Sequence, residues 1–186
     1  VKLLQLVRLV ENNEIVKMSK RSGKSVTLNE LISEIGVDAT RYYFSKCSLD
    51  TQMDFDLNLA KEKSNENPVF YVSYAYARIC SILNSYKNQK NIKEYSTLNN
   101  ENALSILETL YDFPDVVQNA AEKELPHLIT NYIYELATKF HSYYDKVRII
   151  TDNEESTQEN INLIIAVKIT LLNALNLIGV VPPEKM

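Results

Sequence analysis

The chain has 186 residues, 45% hydrophobic and 24% charged, with a net charge of −4, a composition that predicts one soluble domain, or one domain and part of another, with a real core. A broadly basic nucleic-acid surface is excluded: residues 1–60 hold 8 basic and 8 acidic side chains and residues 61–186 hold 12 and 16, so any RNA contact has to rest on local clusters and on stacking. Cys47 and Cys80 are too few for a disulfide framework and lack Cys/His ligand spacing, so both read as reduced structural residues and no metal site is expected.

In chain order, the opening stretch Val1 to Leu6 is broken by Lys2 and Gln5 and is followed by Arg8; it carries no signal-peptide pattern and predicts a cytoplasmic protein. Val7 to Val10 and Ile15 to Met18 are short apolar stretches joined by Glu11-Asn12-Asn13-Glu14, and Asn tolerates the positive φ that a tight hairpin turn needs. Next comes Lys17-Met18-Ser19-Lys20-Arg21-Ser22-Gly23, with Lys24 just beyond and no acidic residue from 17 to 24. This loop wants an anionic partner such as a phosphate, although a Lys-rich loop is most often a solvated turn. Thr27-Leu28-Asn29-Glu30 has the form of a capping box and starts a helix that Gly36 ends. Asp38 is then expected to cap a helix from Ala39 to about Ser48.

Asn67-Pro68 places a capping side chain before a proline at the first helical position and predicts a long helix to about Tyr86. Val72, Tyr76, Ile79, Leu83 and Tyr86 repeat at steps of four and three and form its core stripe. Tyr71, Tyr74 and Arg78 lie about 100–160° around the helix from that stripe and are expected to reach solvent or a partner. Residues Asn84 to Asn102 are rich in Asn, Lys, Ser and Gln and read as a mobile linker or surface insertion. Helices are expected over about Ala103 to Tyr111, Asp115 to Glu124 and His127 to Ile150. In the last, Ile129, Ile133, Leu136, Phe140, Tyr143 and Val147 make the buried stripe, with Tyr144 and Arg148 at its margin. Ser156-Thr157-Gln158-Glu159 repeats the capping-box form ahead of a final helix, apolar on most sides, that stops at Gly179. No apolar run reaches membrane-spanning length without a polar interruption, so no membrane partner is expected. With only 3 Gly and 5 Pro, the fold class is mainly α.

Taken together these segments resemble one family along essentially the whole chain. Lys17 to Gly23 resembles the KMSK loop of class I aminoacyl-tRNA synthetases, and Gly36-Val37-Asp38-Ala39-Thr40-Arg41-Tyr42-Tyr43-Phe44 resembles the helix that comes after it. Asp54-Phe55-Asp56-Leu57, Ser64 to Val69 and Tyr74 to Ile79 resemble the entry to an all-helical anticodon-binding domain of the DALR type, and Leu177 to Val180 with Pro183 to Met186 resembles the terminal signature. Five matches in order resemble the C-terminal portion of an arginyl-tRNA synthetase. One departure is Arg21, where the general class signature has serine.

The resemblance implies a mainly α fold: a helical-bundle anticodon-binding domain over 61–186, preceded over 1–60 by a short β-hairpin, loop and helix remnant of the class I catalytic domain. It implies ATP-dependent attachment of arginine to its tRNA by a cytoplasmic, monomeric enzyme. Lys17, Met18, Ser19 and Lys20 would hold the phosphates of Mg-bound ATP, with Lys20, and less directly Lys17, balancing charge on the leaving pyrophosphate and Ser19 assisting. Tyr71, Tyr74, Arg78, Tyr144 and Met186 would meet the anticodon loop of the tRNA, bases resting on rings and the guanidinium taking a phosphate or base edge. These 186 residues hold no HIGH-type motif, so alone they are expected to be inactive. A second class of function fits the same residues: a free-standing helical RNA-binding or protein-interaction module without catalysis. His127 and His141 lack a clear acid or nucleophile partner and read as structural; Asp54 and Asp56 read as caps or pairing partners at the junction of the two parts.

Overall fold

The computed structural model describes residues 5–12, 14–16, 27–88, 90, 92 and 95–186. The cationic loop, with Lys17, Met18, Ser19 and Lys20, lies outside them. Strands β1 (Arg8–Glu11) and β2 (Glu14–Ile15) pair antiparallel with Glu11 opposite Glu14, and Asn12 takes φ 52° at the turn. A third strand, β3 (Asp54–Asp56), which the sequence pattern does not suggest, runs parallel to β1 in the order β2-β1-β3. Arg8 seals that edge, donating to both carboxylate oxygens of Asp54 at 2.5 and 2.7 Å.

Helix α1 (Leu28–Ile35) starts at the capping box, the Thr27 hydroxyl accepting from the Glu30 N–H and the Glu30 carboxylate from the Thr27 N–H. Those bonds hold the Glu30 carboxyl below its usual value. Gly36, at φ 85°, both ends α1 and starts α2 (Val37–Lys46). The second helix therefore begins two residues before the expected Ala39, and Asp38 does not cap it. With the start moved back, Asp38 sits in the first turn and its carboxylate is free to accept from the Val181 N–H at 2.9 Å. Asp56 caps the short α3 (Leu57–Lys61), and Asn67 caps α4 (Pro68–Ser85).

Helix α5 (Glu101–Lys123) is one continuous helix through Pro114, where two were expected. A proline removes one helical hydrogen bond and loosens the turn before it; here that turn is tied to α6 (His127–Lys146), because the Tyr132 hydroxyl donates to the Thr109 carbonyl at 2.9 Å and Phe113 packs on the Tyr132 ring. Helix α6 ends at Lys146, short of Ile150. Helix α7 (Glu154–Leu177) is capped by Asn153, whose side chain accepts from the Ser156 N–H. Ser156 does not cap it, and Glu159 is turned to another task.

That task is to hold the described part of the segment expected to be a mobile linker or surface insertion. The Glu159 carboxylate, fully buried, accepts from the backbone N–H groups of Ser96 (2.7 Å), Thr97 (2.7 Å) and Leu98 (3.0 Å) and from the Thr97 hydroxyl (2.6 Å). Gln158 accepts from the Lys90 N–H and donates to the Tyr86 hydroxyl and the Asn88 carbonyl. Asn160 donates to the Ile149 carbonyl and accepts from the Tyr143 hydroxyl at 2.6 Å. Three successive buried side chains of α7 thus fasten the α4–α5 connection, through Gln158 and Glu159, and the α6–α7 connection, through Asn160.

The main core lies where α4, α5 and α6 pack on α7, with Ile79, Ile106, Ile133, Leu136, Phe140, Tyr143, Ile161, Ile164 and Leu171 fully buried. By length and composition α7 could cross a membrane, but in this fold Ile161, Ile164, Val167, Leu171 and Leu175 are buried in the bundle core, while Ile169 and Leu177 are exposed. A second cluster joins Leu9, Leu31, Tyr43, Met53, Phe55, Leu57 and Ala60. Helix α2 straddles the two: Tyr43 packs on Phe55, while its neighbour Tyr42 turns into the main core and its hydroxyl meets the Thr130 carbonyl at 3.4 Å. Burial pushes the Tyr42 phenol well above its usual value and that of Tyr43 up to about 12.

Candidate nucleic-acid interface

Tyr74 and Arg78 lie one turn apart on α4, so their side chains stack along one face. Tyr144, near the end of α6, comes to meet them. The Arg78 guanidinium carbon lies 4.4 Å from the centroid of the Tyr74 ring and 4.3 Å from that of the Tyr144 ring, a cation held between two π faces. Arg78 also donates to the Tyr74 hydroxyl at 2.5 Å and stands 4.0 Å from the Asp145 carboxylate. Its side chain keeps 23% of its surface exposed, enough for an outside ligand to reach the guanidinium edge.

The rings are backed in turn. Tyr74 stacks on Phe70 (6.2 Å, 12°) and on His141 (5.9 Å, 22°), and Tyr144 leans on Phe140 at 6.1 Å. His141 is buried, with Nε2 3.2 Å from the Tyr71 carbonyl oxygen. A carbonyl only accepts, so Nε2 carries the proton there. Burial lowers the His141 pKa below 6.5 and the charge of Arg78 lowers it further, against the opposing pull of the Tyr71 carbonyl and Asp145. The imidazole is therefore a neutral prop behind the Tyr74 ring.

Tyr74, Ala77, Arg78, Ser81, Tyr144, Lys185 and Met186 line a cleft of about 500 Å³. On the other side of Tyr144 lies a second cleft of similar volume, bordered by Ile82, Ser85 and Arg148. The first offers aromatic faces, a fixed guanidinium and a Lys185 ammonium, a set suited to an unstacked base and its phosphate.

Four of the five candidate RNA-binding residues, Tyr74, Arg78, Tyr144 and Met186, thus converge on one cleft. Tyr71 is not among its lining residues: its ring packs between His141 (4.5 Å) and Tyr134 (5.3 Å). The α4 face expected to reach solvent or a partner lies against the second half of α6, because α4 and α6 pack directly on each other. Sequence reasoning took His141 as structural without placing it behind Tyr74, and it missed Lys185. His141 precedes Tyr144 by three residues and so shares its helix face, a signal present in the spacing; Lys185 sits in a tail with no periodicity to place it.

The DALR anticodon binding domain family matches residues 72–186. The chain is 50% identical over 192 residues to the arginine–tRNA ligase of Bacillus subtilis (strain 168) and 45% identical over 190 residues to that of Staphylococcus epidermidis. Each match covers all of this chain and 34% of the relative, so the chain spans about a third of the length of these curated proteins. Its fold superposes on a Campylobacter jejuni chain assigned as an arginyl-tRNA synthetase with a TM-score of 0.83 at 27% identity, covering 99% of this chain and 40% of that one. With a helical bundle of this form over the matched residues, the chain belongs to the DALR anticodon binding domain family and is homologous along its whole length to arginine–tRNA ligases.

Proposed function

We propose that this chain is the part of an arginine–tRNA ligase that grips the anticodon loop of the tRNA, within a cytoplasmic, monomeric enzyme that joins arginine to its tRNA at the expense of ATP. The observation that carries this reading is the Arg78 guanidinium sandwiched between Tyr74 and Tyr144 at a cleft also lined by Lys185 and Met186. A base can stack at the open edge of such a ladder while the cations take its phosphate or base edge. Homology to arginine–tRNA ligases supports the choice of tRNA over other single-stranded RNA.

On this reading, residues 61–186 form the anticodon-binding domain and residues 1–60 the end of a catalytic domain; the second hydrophobic cluster, whose buried members all lie between Leu9 and Ala60, supports that boundary, with Tyr42 of α2 reaching across it into the main core. Lys17, Met18, Ser19 and Lys20 would approach the phosphates of Mg-bound ATP. Lysine suits that work as a point charge on a loop.

The test is binding of an arginine tRNA transcript, followed by gel shift, to the wild-type chain and to Tyr74→Ala and Arg78→Ala. Stacking on an aromatic side chain contributes about 1–3 kcal/mol per base, so Tyr74→Ala is expected to weaken binding by about five- to 150-fold with the helical circular dichroism intact. Unchanged affinity in both variants refutes the placement of the RNA at this cleft.

A further inference from the structure

Lys185 and Met186 line the cleft, and the tail that carries them is bonded to α2 through Asp38. Helix α7 closes with the Gly179 N–H donating to the Asn176 carbonyl and the Val180 N–H to the Leu175 carbonyl, both at 3.0 Å, with Gly179 at φ 70°, a helix ending that favours glycine. A Cβ on Gly179 would lie 2.1 Å from Arg41 Nη1 and 3.1 Å from its guanidinium carbon, a contact that the Arg41 side chain would have to swing away from. Arg41 of α2 thus lies directly on the turn. Two residues later the Val181 N–H donates to the Asp38 carboxylate at 2.9 Å. Asp38 and Arg41 are three residues apart on α2 and therefore share a face.

Past the turn the tail alternates, with Ile178, Val180 and Pro182 buried and Val181 and Pro183 exposed, the period of an extended segment. Among the described residues, no hydrogen bond or ion pair fixes 182–186. Their path is set by the buried row and by the last polar contact before them, at Asp38. Met186 then stands between two hollows, the cleft with Arg78 and Tyr144 and a smaller one bordered by Ala39, Phe70 and Pro183.

We infer that Asp38 and Arg41 are positioning residues for the RNA cleft: they set the course of the tail from Gly179 onward and thereby place Lys185 and Met186 beside Arg78. This rests on the reading that the cleft takes the tRNA anticodon loop. The contact is peripheral to the core, since Val181 is 69% exposed and its amide can find water when the carboxylate is removed. Its loss therefore frees the tail and leaves the bundle standing.

The experiment combines two readouts on the whole chain. Methionine methyl groups labelled with carbon-13 report the tail through Met186, with Met53, only 6% exposed in the second cluster, as an internal control. Fluorescence anisotropy reports affinity for an anticodon stem-loop transcript of an arginine tRNA. In Asp38→Ala the Met186 methyl signal is expected to sharpen and move to its free-chain position, with the Met53 signal and Tm unchanged and RNA affinity lowered about three- to tenfold, the range of one lost hydrogen bond. Asp38→Asn keeps an acceptor oxygen and restores both readouts; Arg41→Ala and Gly179→Ala displace Met186 as Asp38→Ala does. A displaced Met186 signal with unchanged RNA affinity overturns the inference, as does a loss of affinity accompanied by a lower Tm and a shifted Met53 signal. If Arg78→Ala also binds the stem-loop as wild type does, the cleft is not the RNA site and the proposal falls with that reading; if Arg78→Ala weakens binding while Asp38→Ala does not, only the positioning role is lost.

Discussion

Replacing Glu159 with glutamine separates the loop it holds from the helix that holds it. The carboxylate is fully buried: Oε1 accepts from the Ser96 N–H, and Oε2 accepts from the N–H groups of Thr97 and Leu98 and from the Thr97 hydroxyl. An amide of the same shape must turn its NH₂ towards one of these sets of donors. The cheaper orientation sets it against Ser96, orphaning one backbone donor and stripping the charge from the remaining bonds. An orphaned donor costs about 1–3 kcal/mol, and a bond to a charged acceptor is worth about 1 kcal/mol more than a neutral one. Glu159→Gln should therefore lower stability by about 2–5 kcal/mol, read as a fall in the urea midpoint at unchanged m, with faster proteolysis within 95–100. A loss under about 0.5 kcal/mol refutes the claim that this carboxylate fastens the segment.

The pH dependence carries a sign of its own. Burial raises the Glu159 pKa, but the N–H groups of Ser96, Thr97 and Leu98 and the Thr97 hydroxyl outweigh it, so the folded carboxyl titrates below the ordinary 4.5. As pH falls through that ordinary value the unfolded chain takes up the proton first. The stabilisation is thus complete above about pH 4.5 and drains away as pH falls towards the folded value. The stability difference between wild type and Glu159→Gln should narrow over that acid window; a difference that stays constant down to pH 3 contradicts the bonding pattern.

Three further outcomes are expected at the site and its supports. Arg78→Lys keeps a charge but not the planar group between the rings, so RNA affinity should fall while the salt dependence of binding is retained, whereas Arg78→Ala should lower that slope by about 0.7; full affinity in the lysine variant argues against the sandwich. The His141 imidazole, followed by NMR, should titrate below 6.5 as the Nε2–H tautomer, and because the folded pKa is depressed, its contribution to stability is complete above about pH 6.5 and declines as pH falls below that; a midpoint above 6.5 is inconsistent with its burial. Tyr143→Phe removes the donor to the buried Asn160 oxygen and should cost about 1–3 kcal/mol in urea unfolding, with RNA binding unchanged.

What could be read from sequence here is what is decided within one or two helical turns. The Thr27 capping box, the Asn67-Pro68 start of α4 and the four-residue step from Tyr74 to Arg78 are local, and each appears in the structure as the spacing implies. What could not be read depends on partners far along the chain. Strand β3 exists because Phe55 pairs with Leu9, and Asn88, Lys90 and Ser96 to Leu98 of the Asn-rich segment are held because Gln158 and Glu159 meet them from more than sixty residues away. In the sequence, Ser156 to Glu159 has the form of a capping box; Asn153 takes the cap three residues earlier and leaves Glu159 to serve elsewhere. A polar residue in an amphipathic pattern reads as solvated unless its buried partner is known.

The cleft is subject to the same limit. Periodicity finds the face that α4 offers through Tyr74 and Arg78 but not that Tyr144 of α6 comes to cover it, so a stripe reading leaves the arginine to solvent or an unspecified partner. In the fold, the guanidinium is instead held by two rings and by the Tyr74 hydroxyl. A free arginine loses about 1.5–2 kcal/mol of side-chain entropy when it is ordered. Here most of that ordering accompanies folding, and binding at the exposed guanidinium edge finds the group already aimed. The neutral His141 behind Tyr74 protects this arrangement, because a second cation in the stack would repel Arg78 and loosen the ladder on which, in the proposed function, a base rests.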